Sequence, residues 1–435
     1  MDRISNLSDD LLLKILSSLT SKDVVATMLL SKRWKFLWTL VPKLHFDDRF
    51  KEYFGDDCVP YRMFQQYVDM FLVSNKSPVL ETLKFSLGCS YSTTDDLTTW
   101  IRIGIARRVR ELEIIRSLDA YDYGEFNLPQ CLYTFEKLVV LKLYGWIVLD
   151  VPTTVCLPSL KSLHLLCVEY KDEESHRRLL SSCPVLEELV LDHCENISPP
   201  CLYVVVPSLQ RFSFIGGTYD GHDDTNVKVV LNAPYLKYLN IVDNFAIGLS
   251  CLTEDMPEIV EANVNVVYKS TEKLLRSLAS VKRLSLCLSA SVVQPCIEFH
   301  QLVHLELCPY VNKWWDLLTW ILESSPKLQV LKLYKCKEHR FYGVEPIHGR
   351  WGQPSSVPEC FSLQLNTFEW NYYNGRREEK RMLAYILRNA KRLKRAKIFA
   401  WGLGSYEGPR KLKKLASLHR ASKSCRLLLE CLKKL

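Results

Sequence analysis

Few residues in this 435-residue chain stand at spacings that could do chemistry. His300 and His304 are four apart, the separation that aims two imidazoles from one helix face at a zinc ion. The string between them, Gln-Leu-Val, lacks the glutamate a zinc hydrolase uses as its base, and His304 falls inside a strand-like segment. The pair therefore reads as ordinary core or surface histidine. Gly402-Leu403-Gly404 begins like a dinucleotide-binding fingerprint and does not continue into one. Asp220, Asp223 and Asp224 lie in a glycine-rich stretch, where turn-forming aspartates are commoner than calcium ligands. Neither a P-loop nor a Gly-x-Ser-x-Gly elbow occurs. The expectation is no metal, no cofactor and no catalytic residue: a protein that binds.

Sixteen cysteines are scattered with no Cys-x-x-Cys pair. Cys183, Cys194, Cys308 and Cys336 recur at one place in a repeating unit, which predicts packed thiols of a reducing compartment and not a disulfide framework. No run approaches the roughly 18 apolar residues of a membrane span. Asp2, Asp9, Asp10 and Lys14 break up what would be the apolar part of a secretion signal. An intracellular protein is expected, of nucleus or cytoplasm, with no membrane contact.

The net charge of +8 is local. Residues 410–435 carry nine Lys/Arg against one acid, Glu430, leaving 48 of each sign elsewhere. The body has no excess of positive charge for nucleic acid, so none is expected as a partner. The tail could form a basic amphipathic helix through Leu412, Leu415, Leu418, Leu427, Leu428 and Leu432.

What would position a binding surface is a repeat. The pattern apolar-x-x-apolar-x-apolar recurs from anchors at Leu80, Val109, Leu138, Leu160, Leu186, Leu209, Leu236, Ile259, Val281, Leu302 and Leu328, spaced 21 to 29 residues apart. That is the period of leucine-rich repeats. Each unit predicts one short strand of a parallel sheet, with helical returns over Thr94–Ile105, Ser175–Ser181, Glu272–Leu278 and Trp314–Leu322. A lone unit cannot bury its apolar face, so units must stack. The outward strand positions, among them Lys142, His164, Ser285, Glu306 and Lys332, would form a concave face of mixed chemistry suited to a protein or a small polar ligand. The repeat lapses over Lys335–Ser356, which reads as an inserted loop. Two further strand units, Leu365-Phe368-Trp370 and Leu393-Ala396-Ile398, then flank a helix from Arg377 to Asn389.

Ahead of the repeats, three short helices fit Leu7 to Leu40: one capped by Ser8, one by Ser21, and one from Lys32 to Trp38. So small a module is not stable alone. The string Asp2-Arg3-Ile4-Ser5-Asn6-Leu7-Ser8-Asp9-Asp10-Leu11, then Ile15-Leu16-Ser17-Ser18-Leu19, Leu30-Ser31-Lys32-Arg33-Trp34 and Leu37-Trp38 resembles the F-box of plant F-box/leucine-rich-repeat proteins. Pro358-Glu359-Cys360, Phe368-Glu369-Trp370, Tyr373-Asn374-Gly375, Glu378-Glu379-Lys380 and Tyr385 to Ala390 resemble the FBD module that follows such repeats.

The resemblance implies an α/β chain with a three-helix F-box over 1–41 and a helical linker or cap over 42–79. Repeats would fill 80–334 and the inserted loop 335–356. An FBD unit closing the solenoid would cover 357–409, and the basic tail 410–435. It further implies a non-catalytic substrate-recognition subunit that docks on a Skp-type adaptor, and through it a cullin, and presents a protein substrate. The adaptor contact would involve Leu7, Ser8, Leu11, Leu12, Ile15, Leu16, Val24, Leu30, Trp34, Leu37 and Trp38. The family usually has proline where this chain has Ser8, and Leu-Pro where it has Leu19-Thr20; serine can cap the same helix, so the fold is expected to hold and adaptor affinity to be the property affected. A repeat scaffold outside any ligase, or a small-molecule receptor with its ligand on the concave face, are the alternative readings.

Overall fold

Positions two apart along an extended segment face the same way, so the last two apolar residues of each repeat should enter one core together. The computed structural model describes residue 4 and residues 7–48, 59–88, 94–116, 126–193, 201–216, 228–243, 250–253, 256–266, 272–288, 297–308, 314–334, 351–400 and 415–431. They form two compact units, Met1–Leu209 and Gln210–Leu435.

The first unit opens with helices α1 (Asp9–Leu16), α2 (Ser21–Ala26) and α3 (Trp34–Leu37). After them come β1 (Lys43–Asp47), α4 (Val59–Ser74), β2 (Thr82–Leu87), α5 (Thr94–Ala106), β3 (Glu111–Arg116), β4 (Val140–Leu149) and β5 (Ser162–Tyr170). The unit ends with α6 (Ser175–Ser181), β6 (Glu188–His193) and β7 (Cys201–Val205). Strands β1 to β6 pair in sequence order, all parallel. Their register lines up Leu44, Leu83, Leu112, Leu141, Leu163 and Leu189 in one row, and Phe46, Phe85, Ile114, Leu143, Leu165 and Leu191 in the next. Every one of these side chains is buried.

The second unit contains β8 (Arg211–Gly216), β9 (Lys228–Asn232), β10 (Tyr238–Asp243), β11 (Ser250–Thr253), β12 (Glu261–Val266), α7 (Glu272–Ser277) and β13 (Arg283–Leu288). It continues with β14 (His304–Leu307), α8 (Trp314–Glu323), β15 (Val330–Leu333), α9 (Glu359–Leu363), β16 (Thr367–Tyr373), α10 (Arg377–Asn389), β17 (Arg395–Ala400) and β18 (Arg426–Cys431). Here β8, β10 and β12 to β18 pair in that order, again all parallel. Its second row runs Phe214, Ile241, Val264, Leu286, Leu307, Leu333, Trp370 and Ile398, all buried, and ends at the half-buried Leu429 of β18.

All eleven anchors are buried and the α/β leucine-rich-repeat architecture stands as expected. The four return helices match α5 to α8 within two residues at each end. Between β8 and β12 the return is instead extended: β9 and β11 pair with each other in parallel. Lys228-Val-Val-Leu-Asn is β-branched and alternates, which favours a strand over a helix.

Three expectations are corrected. The sheet begins inside the segment read as a helical linker, because β1 with Val41, Leu44 and Phe46 buried is already a full repeat. The basic tail adds β18 to β17 where a helix was expected: Leu427 and Leu429 half-bury on one side of a strand and Leu428 stays exposed. Residues 351–356 of the expected loop form neither helix nor strand, with Trp351 buried against Tyr385 of α10 at a ring-centroid distance of 5.3 Å, and residues 335–350 lie outside the described residues. Among the cysteines Cys183 and Cys308 are buried thiols as expected, but Cys167 is disulfide-bonded. Cys194, Cys336, the Asp220–Asp224 cluster, Gly402–Gly404 and residues 410–414 lie outside the described residues.

One glycine is dictated by a close approach. The β4–β5 ladder shifts register between Tyr144 and Ile147, and Gly145 there has φ +95°. A Cβ at this position would overlap the Arg116 carbonyl oxygen. Gly145→Ala is therefore expected to destabilise the fold by about 2–4 kcal/mol, combining a positive φ with a backbone clash. A urea titration would show it as a fall in midpoint at unchanged slope.

Candidate functional site

In α1 the helical period separates two stripes. Leu12 and Leu16, one turn apart, are fully buried, while Leu11 and Ile15, also one turn apart, are 50% and 45% exposed. Val24, Trp34 and Leu37 complete the buried side. The exposed side continues with Leu30 at 63%, joined by two residues the sequence reading missed, Leu29 at 91% and Phe36 at 72%. Leu7 is half-buried and Ser8 exposed. The eleven expected contact residues thus divide. Leu12, Leu16, Val24, Trp34 and Leu37 form the module's own core; Leu11, Ile15 and Leu30 face outward.

The module is held in place by specific bonds. Arg33 ion-pairs with Asp9, tying α3 to α1. Thr20, not Ser21, caps α2 by accepting from the Asp23 N–H at 3.3 Å. Ser21 is buried instead, its Oγ accepting from the His45 N–H of β1 at 3.0 Å. Trp38 packs edge-on against Phe71 of α4 with ring centroids 5.0 Å apart, and Asn75 Nδ2 donates to the Val41 carbonyl at 3.0 Å. The first repeat supplies the core that three helices lack, so an exposed apolar stripe is left over for something else.

On the outward side of the sheet the five expected contact residues all have partners. Lys142 Nζ lies 3.1 Å from Glu111 Oε1, and His164 Nε2 3.3 Å from Glu188 Oε2. Ser285 Oγ meets the Tyr334 hydroxyl at 2.6 Å. Glu306 takes His304 Nε2 at 2.9 Å and Lys332 Nζ at 2.8 Å. Asn263 donates to Asn240 and Asn240 to Ser213, each at 2.7 Å, continuing the same row. Apart from His304 and Glu306, which both lie on β14, these pairs link different strands and stabilise the sheet. Both histidines of the four-apart pair face carboxylates, His300 meeting Glu298 and His304 meeting Glu306.

Those bonds hold the Glu306 carboxyl at about 2, the His304 hydrogen bond contributing most and Lys332 next, against opposing burial. A carboxylate whose value is depressed by folding contributes stability above its ordinary value of 4.5 and loses it as pH falls toward 2. Glu306→Gln is thus expected to lower the thermal midpoint at neutral pH. That deficit should shrink steadily in melts taken between pH 4.5 and pH 2, the window set by the two values.

Glu379 explains part of the C-terminal motif. Its buried carboxylate reaches back from the first turn of α10 to accept from the Asn374 and Arg376 backbone N–H groups, each at 3.0 Å. Gly375, at φ +73°, makes the turn that brings both donors to it. Burial pushes this carboxyl up, while the backbone donors pull it down. Phe368 and Trp370 are fully buried, so these motif residues serve packing.

Comparison with known proteins agrees with this architecture. Residues 4–46 match the F-box domain, residues 97–264 the family "FBD-associated F-box protein At5g56370, LRR repeats", and residues 353–398 FBD. The FBD-associated F-box protein At3g50710 of Arabidopsis thaliana is 54% identical, with 99% of this chain and 100% of that protein covered. The F-box/FBD/LRR-repeat proteins At4g26340 and At5g56420 of the same organism are 46% and 44% identical, each over 99% of this chain and 100% and 99% of their own lengths. The chain belongs to the F-box/FBD/LRR-repeat protein family. F-box domains in general bind Skp-type adaptors and serve Skp–cullin–F-box ubiquitin ligases as non-catalytic subunits. Among the described residues no helix is long and apolar enough to cross a membrane.

Proposed function

We propose that this chain is the substrate-recognition subunit of a Skp–cullin–F-box ubiquitin ligase, acting inside the cell in nucleus or cytoplasm. Leu11, Ile15 and Leu30 contact the Skp-type adaptor together with Leu29 and Phe36, and Leu7 and Ser8 lie at the rim. Leu12, Leu16, Val24, Trp34 and Leu37 hold that surface in shape, while Trp38 anchors it to the first repeat. The repeats and the FBD module present a protein substrate. Ubiquitin transfer belongs to other subunits; this chain contributes proximity, raising the effective concentration of substrate lysines.

The observation that carries the reading is the apolar stripe left outward on a module whose own core is already filled. Calorimetric titration of the full-length protein with a purified Skp-type adaptor tests it. Sub-micromolar, one-to-one binding is expected. A folded sample that gives no heat and no complex on gel filtration would refute the adaptor role.

A further inference from the structure

The sheet face is self-satisfied, but the edge where the strands of the first unit begin is not. The residues just before β3, β4, β5 and β6 are Arg110, Val139, Lys161 and Glu187. They form a row, since each one's carbonyl accepts from the next one's N–H at 2.8 Å. Two residues upstream of Arg110 and Val139, Arg108 and Lys137 stand in the turns that lead into β3 and β4. An open cavity of about 680 Å3 at this edge is lined by Arg108, Arg110, Lys137, Lys161, Val139 and Glu187 among others. Its one acid, Glu187, is matched by Lys161 at 2.7 Å. Arg108, Arg110 and Lys137 are exposed and make no ion pair among the described residues. Three uncompensated cations surround one groove.

Arg108 adds an independent sign. It terminates α5: its N–H bonds to the Ile105 carbonyl and the Val109 N–H to the Gly104 carbonyl, each at 3.0 Å. This two-bond helix ending places its residue in the left-handed region, where glycine is the usual occupant. Arginine stands there at φ +57°, at a cost of about 1–2 kcal/mol. The helix ending does not need that side chain. It extends exposed at the groove, and non-glycine residues held in such conformations cluster at ligand clamps.

We propose that this groove binds a phosphorylated segment of the protein substrate, the phosphate dianion held by Arg108, Arg110 and Lys137. The assignment rests on the substrate-adaptor reading and names the substrate class. Charge complementarity selects the ligand: a phosphoryl group carries about −1.5 to −2 charges and three acceptor oxygens, and arginine binds it with paired N–H donors. Val139 offers an apolar contact to a neighbouring side chain. Nucleic acid fits less well, because the groove spans only a few repeats and its lining includes no aromatic ring for stacking bases.

The test uses the full-length protein and immobilised degenerate peptides with a fixed central phosphoserine, beside the same peptides with serine and a short single-stranded RNA. The wild type is expected to retain the phosphorylated peptides about tenfold more strongly than the serine peptides. Arg110→Glu with Lys137→Glu should bring retention down to the serine level. Arg108→Gly should weaken it severalfold while the thermal midpoint holds or rises, because glycine suits that backbone; a structural role would not separate the two readouts. Equal retention of both peptide sets by the wild type overturns the proposal. So does a phosphate preference that survives both variants, or tighter retention of the RNA. Adaptor binding on the same preparation keeps the two readings apart. Its failure with phosphate preference intact sinks the ligase reading and supports the groove, and the reverse result sinks the groove alone.

Discussion

The double substitution Leu11→Asp, Ile15→Asp in the full-length chain is expected to weaken adaptor binding at least about a hundredfold while leaving the thermal melt nearly unchanged. Fully burying a leucine or isoleucine side chain contributes about 1.5–3 kcal/mol, and a tenfold change in affinity is about 1.4 kcal/mol. Two such side chains, about half of each still open to burial in the free protein, account for about one to two decades. Introducing carboxylates into an apolar contact adds a desolvation penalty in the same direction. The melt should hold because neither residue belongs to the module's core. Leu12→Asp supplies the contrast: its side chain is fully buried, so the same chemistry one residue along should unfold the module. Titration beside circular-dichroism melts separates the outcomes. Binding kept by the double variant would place the adaptor contact elsewhere.

Trp370→Ala is the largest single loss expected in the second unit. The indole is 1% exposed and lies amid Tyr373, Phe368 and Trp314, with ring centroids 5.2, 6.2 and 6.3 Å away. Truncating a buried tryptophan costs about 3–5 kcal/mol, from lost transfer free energy and the cavity left behind. The neighbours are stiff aromatic rings from two elements, β16 and α8, so collapse into the cavity is limited and the upper part of that range applies. Chemical denaturation should reveal the loss as a separate early transition of this unit, since repeats are stabilised mainly by nearest neighbours. Unchanged denaturation would show that the FBD motif tryptophan does not organise this region.

How much could be read from sequence follows from how each feature is encoded. The repeat rows were legible because burial repeats every two residues within a strand and every 21 to 29 along the chain. Thus Leu112-x-Ile114 and Leu331-x-Leu333 announce themselves. The helix Arg377–Asn389 was legible to the residue, its first turn holding Glu378 and Glu379. β1 escaped because Val41-x-x-Leu44-x-Phe46 sits against the N-terminal module, where a linker was expected. β18 escaped because its three consecutive leucines, Leu427 to Leu429, show no two-residue alternation, and the basic residues on either side of them also fit an amphipathic helix.

At the candidate site, types were legible and faces were not. Leu11, Leu12, Ile15 and Leu16 are equally apolar, and only packing against α3 and the turn that follows it decides which pair turns inward. Leu29 and Phe36 were missed for the same reason. The groove at the strand-start edge had no signal within any short window. Arg108, Arg110, Lys137 and Lys161 come from three repeats, and only the register of the sheet brings them together. Stacking repeats creates sites from residues some 25 positions apart that carry no motif of their own.

Hydrogen exchange of the full-length protein with and without a purified Skp-type adaptor tests the central claim most directly. The account predicts slowed exchange of the backbone from residue 9 to residue 16 and from residue 27 to residue 37, with peptides from β13 to β17 unaffected. Unchanged exchange across α1 and α3 at saturating adaptor, or protection confined to the strands, would contradict it.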